Sequence, residues 1–249
     1  MNRAATILLP LLGALSILLV WQFVLPLLGV PAFIVPTPAT VARKLVTDAG
    51  LLAANALPTA LESVLGFLIG NLAAVLLAIL FVYSRPIRAA YFPAVLFFNT
   101  IPILALAPII VLIFGLGILP KIVIAAVICF FPTLVNMIRG LEMPTRSEFE
   151  LFRILSASPF ETFWRLRVPR SLPLLFTSLK ISATTSVIGA IVGEWIGANQ
   201  GLGALIIQST FNYQTDRLYA AVITSSALGL LFFGSVVLAE RLVMRRHPA

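Results

Sequence analysis

Few residues in this chain could carry chemistry, and their placement argues against most enzymes. The only histidine, His247, stands near the C-terminus, and the only cysteine, Cys129, stands inside an uncharged apolar run. A Ser-His-Asp triad or a His/Cys metal centre therefore has no partners to draw on. Cys129 is expected to be a small buried packing residue. No glycine-rich loop ends in Lys-Ser/Thr, the pattern whose backbone N–H groups cradle nucleotide phosphates, so this chain is expected to hydrolyse nothing.

Two stretches stand out from this background. The first is "ELFRILSASPFETFWRLRVP", Glu150–Pro169, which gathers acids and bases in a chain only 10% charged. Within it, Ser158-Pro159-Phe160-Glu161 has the order of a helix start: a side-chain cap, proline at the first helical position and a glutamate three residues after the cap. Ser147 and Glu150 share the spacing and predict a second start upstream. Phe149, Phe152 and Leu155 fall on one face of the first short helix, and Phe160, Phe163 and Trp164 on one face of the second. Arg146–Glu150, Glu150–Arg153 and Glu161–Arg165 stand at ion-pairing distance along a helix. Such a pair of amphipathic helices fits either a lipid-headgroup surface or a rigid knob offered to a partner protein.

The second stretch is "GAIVGEWIGANQG", with Gly189, Gly193, Gly197 and Gly201 every four residues. On a helix these form a bare stripe for close approach of a neighbour. Glu194 is an acid at or near membrane depth, costly unless it faces a cavity, a partner or the interface. Glu194, Trp195 and Asn199 are accordingly expected near an outer gate, with an interfacial position for Glu194 as the alternative.

The elements that must position these residues follow from hydropathy. The chain of 249 residues is 60% hydrophobic with a mean hydropathy of +1.08, far from the composition of soluble domains. Residues 4–42, 63–84, 89–120, 122–138, 181–193 and 218–239 carry no charge. Since about 20 apolar residues cross a bilayer core as a helix, these runs predict an all-α integral membrane protein with six transmembrane helices. The first run is too long, and ends without a small-residue cleavage site, to be a signal peptide. Basic residues segregate: Arg3, Arg85, Arg88, Arg139, Arg146, Arg153, Arg165, Arg167, Arg170, Lys180, Arg241, Arg245 and Arg246 fall on one side, and only Arg43, Lys44, Lys121 and Arg217 on the other. The positive-inside rule then places both termini in the cytoplasm. The net charge of +8 is thus mostly topology and gives no sign of a nucleic-acid partner; lipid is the surrounding medium. The proline-dense "GVPAFIVPTPATVARK" reads as an extended outer segment leading to a short surface helix. The expected organisation is a first helix and outer segment over 1–57, a five-helix core over 58–242 with a cytoplasmic loop at about 139–174, and a tail over 243–249.

The loop carries a resemblance. Glu150–Pro169 is similar to the EAA loop of binding-protein-dependent ABC importer permeases, a pattern of Glu-Ala-Ala, a glycine three residues on, then a hydrophobic residue and a proline ten and thirteen residues after the glycine. Glu150, Leu166 and Pro169 match; Leu151 and Phe152 replace the alanines, and Ser156 replaces the glycine. "PAFIVPTP", "IPILALAPIIVLIFGLG", "FFPTLVN" and "GLGALI" extend the resemblance over nearly the whole chain, towards the branch serving taurine, aliphatic sulfonates, nitrate and vitamin or pyrimidine precursors. The resemblance implies a type I importer permease fold and a second permease copy. It further implies two cytoplasmic ATPase subunits that hold the ATP and Mg, and an extracytoplasmic substrate-binding protein. It assigns Glu150, Arg153, Ser156, Ala157, Ser158, Pro159 and Phe160, with Pro169 behind them, to the ATPase contact. Ser156 is the departure of consequence, because serine tolerates a left-handed turn less readily than glycine.

The spans hold almost no lysine or arginine, so a strongly anionic solute finds no basic site. Phe97, Phe98 and Trp195 fit either core packing or a flat heterocycle, and the expected solute is riboflavin or a pyrimidine or thiamine precursor, ahead of a sulfonate, taurine or nitrate. Pro102 and Pro108 predict kinks in the third span. A secondary transporter would need ionisable residues at mid-membrane in several spans, and a membrane scaffold would carry no solute flux.

Overall fold

A computed structural model describes residues 3–245. His247 and the end of the expected tail lie outside the described residues. The described chain is helical: α1 (Arg3–Leu19), a π turn (Val20–Val24), α2 (Leu25–Leu27), α3 (Pro38–Thr47), α4 (Ala49–Tyr83), α5 (Arg85–Thr100), α6 (Ile103–Phe114), α7 (Ile118–Glu142), α8 (Arg146–Ile154), α9 (Pro159–Thr162), a second π turn (Phe163–Arg167), α10 (Val168–Glu194), α11 (Leu202–Phe211) and α12 (Thr215–Met244).

By length and composition, four helical runs can cross a bilayer: Ala49–Tyr83, Ile118–Glu142, Pro159–Glu194 and Thr215–Met244. A fifth is available if α5 and α6, bent by 103° at their junction, count as one broken span. The expected third helix is thus two helices, because Pro102 forces Ile101 into extended backbone (ψ 125°) and cannot donate the next helical bond. Pro108, the other expected kink, is accommodated inside α6. The first apolar run is helical from Arg3 to Leu27 through α1, the π turn and α2, and its part Leu11–Leu27 is a shorter apolar helix. By length and composition the described residues thus give four or five candidate spans, against six expected. The boundary expected at 57/58 falls inside α4, which starts at Ala49 and runs unbroken through Pro58.

The core is α4, α7 and α10, held together by small residues and a polar seam. Gly66 and Gly70 of α4 pack directly on Ala125 and Ala126 of α7, and Gly189 of α10 packs on Ala125. Helices approach this closely only where side chains are absent, and in lipid that close packing is the main source of association. Across the same seam Thr133 Oγ1 donates to Asn71 Oδ1 (2.5 Å) and lies 3.3 Å from Ser182 Oγ, while Asn71 Nδ2 donates to the Phe67 carbonyl. Cys129 is fully buried beside Ser182, the packing role expected of it.

The bundle has two chemically distinct ends. At one, Arg88 pairs with Glu142 (2.6 Å), and Lys180, a turn or two inside, pairs with Glu240 (3.0 Å). At the other, α3 docks beside the starts of α4 and α12 through Arg217–Asp48 (2.7 Å), Lys44–Asp48 (3.3 Å) and Lys44–Asp216 (3.7 Å). Thr37 caps α3, with Pro38 at its first position, which is the short surface helix predicted after the proline-dense segment.

Candidate functional site

The segment from Thr145 to Pro169 builds a knob beyond the first end of the bundle. Its first helix, α8, opens with a capping box: Thr145 Oγ1 accepts from the Glu148 N–H (3.3 Å), and Glu148 Oε2 accepts from the Thr145 N–H (2.7 Å). The cap therefore sits at Thr145/Glu148, not at the predicted Ser147/Glu150. Ser147 is already inside the helix, and Glu150 is left to pair with Arg146 (3.2 Å) on a solvent-facing surface. Glu148 also accepts from Arg170 of α10, a bond that ties the knob to the bundle. The Thr145 N–H first, and Arg170 with it, hold the Glu148 carboxyl below its ordinary range.

Helix α8 ends in a reversal that the sequence disguised. The Ser156 N–H donates to the Arg153 carbonyl (3.0 Å) and the Ala157 N–H to the Phe152 carbonyl (2.9 Å), the two bonds of a Schellman motif with Ser156 in the left-handed position at φ +54°. This is the position that glycine occupies in the EAA pattern. Two residues later Ser158 opens α9 as predicted: its Oγ accepts from the Glu161 N–H (3.2 Å), and Glu161 Oε2 accepts from the Ser158 N–H (3.0 Å). The Glu161 carboxylate is spent on that cap. Neither the expected Glu161–Arg165 pair nor Glu150–Arg153 forms an ion pair among the described residues, and only Arg146–Glu150 does.

Helix stop and helix start are thus fused at Ser156–Ser158, with their backbone groups satisfied locally. Arg167 fixes the return: its guanidinium donates to the Leu141 carbonyl (2.9 Å) and stacks 4.9 Å from the Phe149 ring. Against this rigid frame the outer surface is uncovered. Ile154 is 80% exposed and Phe160 71%, and Leu155 and Trp164 are exposed beside them. Glu150, Arg153, Ser156, Ser158, Pro159 and Phe160 all lie exposed on this knob, with Ala157 half-buried between them; Pro169 stands apart, half-buried at the start of α10.

At the opposite end, Glu194 closes α10 in full burial. Its carboxyl accepts from Thr59 Oγ1 of α4 (2.6 Å) and from the Gly203 N–H of α11 (2.5 Å), and Thr59 Oγ1 in turn accepts from the Leu202 N–H (2.8 Å). Glu62, one turn along α4, lies beside it and takes a bond from Lys121 of α7 (3.0 Å), which leaves Glu62 Oε2 without a partner among the described residues. Glu194 is therefore the pin that joins α4, α10 and the start of α11. Trp195 (40% exposed) and Asn199 lie on the surface nearby. The predicted glycine stripe is only half helical. Gly189 and Gly193 lie on α10, but Gly197 (φ +72°) and Gly201 (φ +117°) turn the chain from α10 into α11. Glu62 and Lys121 were missed because each stands at the edge of an uncharged run, where it reads as a boundary residue, and Thr59 because an uncharged hydroxyl in an apolar helix carries no signal of its partner. Phe98 lines an apolar cavity of about 680 Å³ between α4, α5, α6 and α7 and meets Phe97 edge-on (ring centroids 6.2 Å), both rings being largely exposed, whereas Trp195 is at the other end, so the three aromatics do not converge.

Comparison with known proteins follows the same outline. Residues 66–245 match the family described as binding-protein-dependent transport system inner membrane component. The formylaminopyrimidine transport permease protein ThiX of Halalkalibacterium halodurans is 32% identical over 98% of each chain. The riboflavin transport system permease protein RibX of Chloroflexus aurantiacus is 33% identical over 95% of this chain and 90% of its own. Among solved structures, a chain of the inward-facing MetNI methionine ABC transporter superposes with a TM-score of 0.59 at 24% identity, covering 75% of this chain and 91% of that one, a likeness of fold. With the family match spanning the core helices, the knob and the last helix, the chain belongs to the inner-membrane permeases of binding-protein-dependent ABC importers.

Proposed function

We propose that the chain is the membrane subunit of an ATP-driven importer for a small heterocyclic solute of the vitamin type, riboflavin or a pyrimidine or thiamine precursor. In this assignment two copies pair, a substrate-binding protein delivers the solute at the end bearing α3 and α11, and two ATPase subunits, which hold the ATP and Mg, seat on the Thr145–Pro169 knob. Concentration of arginine at the knob end supports its cytoplasmic placement, and with it that of both termini. The observation that carries the assignment is the knob itself. Its backbone is internally satisfied and braced by Arg167 and Arg170, yet Ile154, Leu155, Phe160 and Trp164 are left uncovered at its tip, as a rigid insert into a partner's cleft requires. The names of ThiX and RibX support the solute class.

Alternating access then follows from mechanical linkage. Closure of the ATPase pair on nucleotide moves the knobs, and α10, continuous with the knob through the second π turn, transmits the displacement to the Glu194 pin at the outer end. The test is a mild-detergent pull-down of the tagged chain with mass spectrometry, followed by uptake assays. Wild type is expected to retain an ATPase subunit, and Glu150→Arg combined with Ala157→Asp to lose it along with uptake. Retention of assembly and uptake in the double variant would remove the knob from the coupling role. Uptake of taurine, with none of riboflavin or formylaminopyrimidine, would reverse the solute class.

A further inference from the structure

We infer that the recess beside Asn55 at the outer end receives the solute, and that it selects a neutral molecule rich in hydrogen-bond donors and acceptors over an anion. The inference rests on the importer assignment above and adds the site and its selectivity.

The recess has a volume of about 400 Å³ and lies between the first turns of α4, the turn after α10, the end of α11 and the start of α12. That is within the range of roughly 300–1,000 Å³ typical of small-molecule sites. Its chemistry is unusual for this chain. The sequence contains seven Asn and four Gln, and six of these eleven carboxamides (Asn55, Asn199, Gln200, Gln208, Asn212 and Gln214) line this one recess. Such a concentration in a chain 60% hydrophobic does not follow from solvation of an outer surface, which charged residues serve equally well.

The carboxamides divide into a frame and a set of free groups. Asn55 donates to the Leu51 carbonyl (2.9 Å) and accepts from the Gly201 N–H (3.0 Å), and Gln214 accepts from Arg217 (2.6 Å). Asn199, Gln200, Gln208 and Asn212 line the recess and make no side-chain hydrogen bond among the described residues, so their carboxamides are free to pair with a solute. Edges that alternate donor and acceptor, as on a pyrimidine, an isoalloxazine or a formamide, are what carboxamides pair with.

Charge points the same way. The one cation lining the recess, Arg217, is committed to Asp48 (2.7 Å) and Gln214, and Asp48 and Asp216 also share Lys44. Two cations thus face two anions, and a sulfonate would meet no unpaired positive charge to repay its desolvation. On the rim, Tyr213 between Asn212 and Gln214 is 85% exposed and held in the left-handed region at φ +55°. That conformation ends α11 in a Schellman motif, with the Tyr213 N–H on the Thr210 carbonyl and the Gln214 N–H on that of Ser209, and it leaves the ring open for a planar solute to stack. The recess also abuts the pin: Asn55 holds Gly201, whose neighbour Leu202 bonds to Thr59 and through it to Glu194.

The test uses the full complex of permease, ATPase and binding protein in proteoliposomes, with formylaminopyrimidine, riboflavin and taurine as probes. Gln208→Leu and Asn212→Leu remove free carboxamides at exposed positions at nearly constant size, and Gln208→Asn restores one. Each Leu variant is expected to lower solute imported per ATP hydrolysed about tenfold, the loss of one well-made hydrogen bond. Gln208→Asn should recover part of this, with unfolding temperature and binding-protein affinity unchanged. Unaltered import in both Leu variants overturns the recess as solute site and leaves the importer assignment standing. A matching loss of affinity for solute-free binding protein overturns it in favour of a docking surface. Import of taurine alone by wild type overturns both the selectivity and the heterocyclic assignment.

Discussion

Replacing Gly70 by alanine tests the claim that α4 and α7 are held by backbone proximity. A Cβ built at Gly70 stands 2.9 Å from Ala126 Cα and 3.0 Å from its carbonyl carbon, and closer still to its oxygen, where ordinary contact begins at 3.4 Å. These are backbone atoms, so no rotamer change relieves the overlap and the helices must separate by about 0.5–1 Å. Overpacking of this kind costs about 1–3 kcal/mol, with the upper end appropriate here. Separation also stretches the adjacent Thr133–Asn71 hydrogen bond, worth about 0.6 kcal/mol inside a membrane protein. Against this, alanine gains up to about 1 kcal/mol over glycine in helix propensity. The net expectation for Gly70→Ala is a loss of about 2.6 kcal/mol. Gly229→Ala on α12 is the matched control: nothing lies within 4 Å of its added Cβ, so only the propensity gain of about 1 kcal/mol applies. Unfolding in mixed micelles, followed by circular dichroism, reads both, with the two variants expected to shift the midpoint in opposite directions. Equal shifts, or no loss at Gly70, would refute the packing argument.

Three further outcomes are expected. Ser156→Gly relieves the left-handed strain of about 1–2 kcal/mol but frees the unfolded chain by up to about 1 kcal/mol, so stability holds or rises slightly and uptake is kept, whereas β-branched Ser156→Val loses both, as read by thermal unfolding and transport. Glu148 has a depressed pKa in the folded protein, so its stabilisation is present above its unfolded pKa near 4.3 and is lost as pH falls through the folded value. The gap in unfolding midpoint between wild type and Glu148→Gln should therefore stay constant from about pH 8 to 6 and close below about pH 4. Lys180→Met leaves Glu240 half-buried and unpaired between α10 and α12 and should lower the unfolding midpoint, with the exchange Lys180→Glu/Glu240→Lys recovering most of the loss.

Much of the functional geometry was legible locally. The Ser158–Glu161 cap was readable because a capping box is a contact between residues three apart, decided by residue type and spacing alone. The Thr145–Glu148 cap was misread by two residues, since several Ser/Thr–Glu pairs compete in that stretch and only the path leaving α7 at Met143 selects among them. The third span was readable as apolar but not as bent: Pro102 marks a break, and the 103° angle depends on what each half packs against.

Composition, hydropathy, basic-residue segregation and capping spacing determined by themselves that this is a helical membrane protein with a pair of capped, aromatic amphipathic helices at its arginine-rich end, because each of those signals rests on single residues or on neighbours a turn apart. Tertiary structure alone decided what Glu194 does and where the carboxamides meet. Thr59 and Glu194 are 135 positions apart and Asn55 and Gly201 are 146 apart, and no local periodicity encodes a hydrogen bond across such separations. Such contacts exist only once α4, α7 and α10 have packed at the distance their glycines allow, and it is that packing which turns scattered polar residues into a pin and a recess.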